Sequence, residues 1–196
     1  MLRVTKLLAD RSIPYIGPGA AVMARCYDKA EAYRIAAAAG FDCPAESGEQ
    51  LIAKPRWGSD SLGLQFTTSR SQKENCLTQE YVRGADVTVA VLDGRVGMPL
   101  RINLPEGVPY TFFRKYLAPP GRTPLDDARV RDTALALARL FQVDWAARID
   151  FILAKDRLCF LECDVAPLIS APSAFAESLS RAGVARAEQL RLLSAA

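Results

Sequence analysis

Hydrophobic and polar positions along the chain follow two periods, which predict alternating blocks of helix and strand. Asp28-Lys29-Ala30-Glu31 opens the clearest helix. Asp28 is placed to cap free amides, Glu31 three residues on is placed to complete a capping box, and Gly40 is a good stop. Leu51 to Lys54 reads as a short strand ended by Pro55, and a Gly/Ser-rich loop follows over residues 58–63. Residues 76–82 and 85–92 read as strands joined near Gly84. Asp93-Gly94 is a hairpin turn leading into 95–102. Residues 103–123, rich in Pro, Gly and aromatics, read as an irregular excursion. Residues 126–141 form an amphipathic helix with acidic residues in its first turn. Strands at 145–154 and 158–164 and helices at 173–182 and 186–194 complete the chain. This order predicts an α+β fold with mostly antiparallel sheets and helices packed on them.

The hairpin 145–164 carries the most chemistry. Strand side chains alternate faces, so Arg148 and Asp150 share one face, as do Glu162 and Asp164. A three-residue turn at 155–157 sets Asp150 opposite Glu162 and Arg148 opposite Asp164. It assigns Ile149, Phe151, Leu153, Cys159, Leu161 and Cys163 to the core. Ile152, Ala154, Leu158 and Phe160 then continue the charged face. Three carboxylates against one arginine in an apolar sheet are costly unless a further cation joins them. Two readings stay open here: an internal Arg–carboxylate network, or a Mg²⁺ site of hard oxygen ligands.

Composition narrows the chemistry. The 196 residues suffice for one large domain or two small lobes. There is no histidine, which excludes Ser-His-Asp and Cys-His nucleophile pairs and His-containing zinc sites within the chain. The net charge of +3 gives no reason to expect a nucleic-acid or membrane surface. No apolar run is long enough to span a bilayer, and residues 1–12 lack the apolar stretch of a secretory signal. The five cysteines include no CxxC pair and are expected to be free thiols in a reducing cytoplasm. Only six of the 25 basic residues are lysines. Where arginine is the default cation, a lysine is a candidate compact charge for a phosphate oxygen.

Taken together, these motifs resemble the ATP-grasp superfamily, in particular its D-alanine–D-alanine ligase branch. The matching residues run in the family's order: Ile13-Pro14-Tyr15-Ile16-Gly17 and Asp28-Lys29, then Lys54-Pro55 with the 58–63 loop. Residues 79–88, Lys115-Tyr116, Arg148-Ile149-Asp150, Glu162-Cys163-Asp164, Pro167 and Ser173 follow. The resemblance implies a two-lobed ATP-grasp fold. Residues 28–84 would be the small lobe, with the phosphate loop at 56–63, and 85–196 the large lobe with the metal-site hairpin. Residues 1–27 would be the remnant of a preceding domain.

It also implies an ATP- and Mg²⁺-dependent carboxylate–amine ligase, with Mn²⁺ as an alternative ion. ATP would react with an amino acid or small peptide through an acyl phosphate. Lys29, Lys54 and the loop residues Gly58, Ser59, Ser61 and Gly63 would bind phosphates. Glu80, Tyr81 and Val82 would border adenine, and Asp86 would bind ribose. Lys115 would neutralise the outer phosphates, and Asp150, Glu162 and Asp164 would hold the metal. Arg148 would stabilise the oxyanion, and Ser173 would contact the second substrate's carboxylate or cap the next helix.

Against the family's pattern, the chain is expected to lack the N-terminal substrate domain, and its nucleotide lobe is short. Asp164 replaces the family's metal-site Asn, and Leu168-Ile169 replaces Gly-Met. Asp164 can ligate Mg²⁺ as well as Asn, whereas Leu168, the short lobe and the expected loss of the first domain favour the alternative of a non-catalytic or partner-dependent nucleotide-binding subunit. The missing domain would be supplied by a second copy or a partner chain.

Overall fold

The computed structural model describes residues 2–58, 61–105, 108–155 and 157–195. Among them, strands β1 (Leu51–Pro55), β2 (Gln65–Thr67) and β3 (Cys76–Glu80) form a small antiparallel sheet in the order β2-β1-β3. A six-stranded sheet joins β4 (Ala85–Leu92), β5 (Arg95–Val96), β6 (Leu100–Ile102), β7 (Arg122–Pro124), β8 (Ala146–Ala154) and β9 (Arg157–Asp164). Its order is β7-β6-β4-β8-β9, with β5 paired to β4, and its pairings are antiparallel.

One face of the large sheet is uniformly apolar. Val87, Val89, Val91, Ile149, Phe151 and Cys163 meet Val130, Ala134, Leu137 and Ala138 of a helix at Ala128–Leu140. That four-residue set recurs at helical spacing, which is why the segment folds as an amphipathic helix. Two further helices, Ala20–Tyr27 and Lys29–Ala38, enter the same core through Val22, Met23, Cys26, Ala32, Tyr33 and Ala36. The Lys29–Ala38 helix, expected with the smaller lobe, therefore packs on the larger sheet.

The other face changes character midway along β4 and β8. Ala90, Leu92 and Ala146 lie beneath helices Ala174–Arg181 and Arg186–Ser194, sealed by Phe175, Leu179 and Leu193. Asp86, Thr88, Arg148 and Asp150 continue the same alternation into a cavity. Gly97 permits this docking, because a Cβ there would stand 2.2 Å from Ser178 Oγ. That hydroxyl accepts from the Ala90 amide at 3.0 Å and donates to the Met98 carbonyl at 2.8 Å. The expected strand 95–102 is accordingly split into β5 and β6.

The hairpin holds the expected pairs Arg148↔Asp164 and Asp150↔Glu162 by a different route. Pairing resumes at Ala154↔Arg157, so the turn is one residue shorter than expected. An irregularity between Asp150 and Phe151 then leaves Leu161 outside the ladder and restores the register. Residues 158–161 of β9 thereby exchange faces, while their β8 partners keep the expected ones. Phe160 lies in the core against Phe141 and Phe151, and Leu158 packs against it. Cys159 and Leu161 instead pack with Val82 and Ile152.

Four elements arise where the sequence suggested none: helices at Leu2–Asp10, Ala20–Tyr27 and Phe112–Tyr116, and strand β7. Strand β2 is a fifth, in a stretch between the 58–63 loop and the 76–82 strand to which the sequence assigns no element. All five cysteines are free thiols. No helix among the described residues is long and apolar enough to cross a membrane.

Candidate functional site

The small sheet and the cavity-facing half of the large sheet enclose a space of about 590 Å³, in the range of a small-molecule site. Its walls carry Lys29, Lys54, Lys115 and Arg148 together with Asp86, Asp150 and Glu162. Gly58, Ser61, Glu80, Tyr81, Val82 and Ser173 also line it. Two described residues of the expected site lie elsewhere. Gly63 borders a separate hollow beside Pro55, and Asp164 is not part of the cavity wall. Ser59 lies outside the described residues.

At the small-sheet end, Asp28 caps the Lys29–Ala38 helix, accepting from the Ala30 and Glu31 amides. The expected capping box is not completed, because the Glu31 carboxylate pairs with Arg34 at 2.6 Å. Arg56 grips Asp28 in a bidentate pair at 2.6 and 2.7 Å, tying the exit of β1 to the helix N-terminus. Lys29 Nζ donates to the Gly58 carbonyl. Lys54 Nζ donates to Tyr33 Oη at 2.7 Å. Burial pushes both lysines toward the neutral amine, Lys54 to about 8.

The loop after β1 touches the opposite wall, where Ser61 Oγ donates to the Tyr110 carbonyl at 2.8 Å. Lys115, from the short helix Phe112–Tyr116, sits 5.1 Å from the centre of the Tyr110 ring. Glu80 accepts from Arg157 at 2.9 Å and from the Ala45 amide at 3.1 Å. Burial works against its carboxylate, but these bonds hold it below the usual glutamate value. Asp86 is pushed up to about 6 by burial and by the nearby Asp150 charge.

Arg148 organises the carboxylates. It lies 3.0 Å from Asp150 and 3.5 Å from both Glu162 and Asp164. Burial opposes ionisation of Asp150, yet Arg148 and the Thr88 hydroxyl hold it below the usual aspartate value. Glu162 moves the other way, raised by burial and by the Asp150 charge. Among the described residues, no three acidic, Cys or His side chains converge as a ready metal cage. The acids are drawn instead onto a guanidinium. Their donor type, carboxylate oxygen, is that of a hard divalent cation's ligands, and burial, followed by the Asp150 charge, disfavours the bare Glu162 carboxylate. Ser173 caps the Ala174–Arg181 helix, accepting from the Ala176 amide at 3.1 Å.

The cavity also includes residues that the sequence reading did not assign. Thr88 follows Asp86 by two on one strand and so shares its face, a signal present in the alternation. Arg122 comes from the segment 103–123, read as irregular, which carried none, whereas Leu168 is already marked in the sequence as replacing the family's Gly. Arg122 donates to Glu177 at 2.6 Å and to the Pro172 carbonyl at 2.8 Å, bracing the turn before the Ala174–Arg181 helix. Leu168 borders the same end, 58% exposed.

This two-sheet arrangement around a lysine-lined cavity is that of a nucleotide-grasping fold. The ATP-grasp domain family matches residues 26–165, and the chain belongs to it. It is 27% identical to a D-alanine–D-alanine ligase of Nitrosomonas eutropha, over 88% of this chain and 67% of that protein. It is 29% identical to the Anaeromyxobacter enzyme of that name, over 87% of this chain and 67% of the relative. A solved D-alanine–D-alanine ligase from Bacillus anthracis in complex with ATP superposes with a TM-score of 0.79 at 18% identity, over 98% of this chain and 72% of that one. The VanG D-Ala:D-Ser ligase from Enterococcus faecalis gives 0.81 at 18% identity, over 98% and 67% respectively.

Proposed function

We propose that the chain binds ATP with Mg²⁺ in this cavity and joins a carboxylate to an amine through an acyl phosphate. The substrates would be amino acids or a small peptide. The observation that carries the reading is the meeting, between two sheets, of Lys29, Lys54, Lys115 and Arg148 with Asp150 and Glu162. The names of the relatives, and the ATP complex of one of them, support it.

In this mechanism Lys29 and Lys54 bind phosphate oxygens from the small-sheet side, and Lys115 does so from the opposite wall. Gly58 and Ser61 bring loop groups toward the phosphates, with Gly63 serving the turn. Tyr81 and Val82 border the base near Glu80, and Asp86 accepts from ribose hydroxyls. Asp150 and Glu162 on the cavity wall would hold Mg²⁺, with Asp164 joining them through its place beside Arg148, and the ion would supply charge neutralisation at the phosphates. A substrate carboxylate oxygen attacks the γ-phosphorus and ADP leaves. The amine then attacks the acyl carbon, phosphate departs, and the amine loses a proton. Arg148 stabilises the oxyanion formed in that second step.

A second reading, nucleotide binding without ligation, is favoured by the engagement of Arg148 with three carboxylates. Calorimetric titration with a non-hydrolysable ATP analogue, with and without Mg²⁺, tests nucleotide binding. A screen of amino acids for phosphate release tests ligation. Mg²⁺-dependent micromolar binding with amino-acid-dependent release supports the ligase. Binding without release supports the second reading, and no binding rejects both for the isolated chain.

A further inference from the structure

We propose that Tyr33 is a positioning residue for the nucleotide phosphates, fixing the Lys54 ammonium on the cavity wall. The inference rests on the reading of Lys54 as a phosphate ligand. Lys54 Nζ donates to Tyr33 Oη at 2.7 Å, and Tyr33 Oη donates to the Leu161 carbonyl at 2.6 Å. The single hydroxyl proton is committed to that carbonyl, so the oxygen presents lone pairs to the ammonium. The polarity of the chain of hydrogen bonds is thereby set.

The carbonyl at its end belongs to the residue that the β8–β9 bulge leaves outside the strand pairing. A bulge commonly re-aims a residue beside a functional site. Here it serves α-helix Lys29–Ala38 and strand β1 from the larger sheet. Tyr33 has little freedom to move: it is 8% exposed, and its ring meets Phe160 edge-on at 6.0 Å. It also stands one helical turn beyond Lys29, so one helix delivers one lysine and the support of the other. An ammonium has three donors. Tyr33 takes one and leaves the others for phosphate oxygens, while restraining an otherwise flexible four-carbon stem.

The test is a double-mutant cycle on the full chain, read as affinity for a non-hydrolysable ATP analogue with Mg²⁺. Tyr33→Phe keeps the ring and should weaken binding about five- to tenfold, measured well below the variant's melting temperature because the change also removes two part-buried hydrogen bonds. Lys54→Met should weaken it at least as much, and adding Tyr33→Phe to Lys54→Met should cost nothing more. Unchanged affinity in Tyr33→Phe, or an equal loss in both backgrounds, overturns the proposal. Unchanged affinity in Lys54→Met instead refutes the phosphate role of Lys54. A measurement independent of the Tyr33 variant is the NMR signal of the Lys54 side-chain ammonium, assigned with Lys54→Met. Slow proton exchange with water supports a held ammonium, and exchange as fast as that of exposed lysines overturns it.

Discussion

Thr88 on β4 and Asp150 on β8 stand directly opposite in the ladder, and Thr88 Oγ1 donates to Asp150 Oδ1 at 2.7 Å. Thr88 is buried, so this is a hydrogen bond to a charge away from bulk water. Thr88→Val preserves shape and removes the donor. It should cost about 1.5–2 kcal/mol at pH 7, measured by urea unfolding. Asp150 is held below its ordinary value in the folded protein. Its contribution is therefore present above the unfolded aspartate value and is lost as pH falls through the folded one. The gap between variant and wild type should close on acidification. A gap independent of pH would mean that Val fails for packing reasons.

The hairpin shows how far the sequence could be read and where it stopped. Alternation placed Arg148, Asp150, Glu162 and Asp164 on one face and paired them correctly, because side-chain period is a local property. It could not reveal the bulge, since a turn longer by one residue gives the same register at the charged end. Only the identities of Phe160 and Leu161 on opposite faces distinguish the two. Arg122 and Tyr110 were illegible for another reason. They fall within residues 103–123, whose sequence shows no period that links a residue to a face. The Lys29–Ala38 helix was legible as a helix, but its packing partner was not, because an amphipathic face does not say which sheet will cover it.

Ser173 tests a choice that sequence left open. Its hydroxyl accepts from the Ala176 amide as the cap of the final helix pair's first member. Ser173→Ala should lower stability by about 1 kcal/mol, whereas Ser173→Gly should cost only a few tenths. Thermal unfolding of both variants checks this. If Ser173 also contacts substrate, Ser173→Gly will raise KM for the second substrate while leaving the melting temperature nearly in place.

Arg148 holds three carboxylates with only a fifth of its side chain exposed. Arg148→Ala leaves Asp150, Glu162 and Asp164 facing one another and should destabilise the fold by about 3 kcal/mol. Millimolar Mg²⁺ should then raise the melting temperature of the variant more than that of wild type, because the vacated centre of the cluster favours a cation. An equal Mg²⁺ response in both proteins would remove the proposed metal role from these acids. A normal melting temperature without Mg²⁺ would show that the ion pairs contribute little.

Lys54 should make nucleotide binding sensitive to alkaline pH. Burial depresses its folded value from 10.5 to about 8, while Glu162 pulls the other way. Between those values the unfolded chain binds more protons at this site than the folded one, so its contribution to stability rises with pH. Nucleotide affinity responds in the opposite sense, because deprotonation removes the charge that faces phosphate. Calorimetric affinity for the ATP analogue should therefore fall as pH rises through about 8, and bound phosphate will move that midpoint upward by favouring the ammonium. Lys54→Arg keeps its charge across this range, so its binding should lose the alkaline fall even if the affinity at neutral pH is lower. A fall that persists unchanged in Lys54→Arg would assign the titration to another group in the cavity.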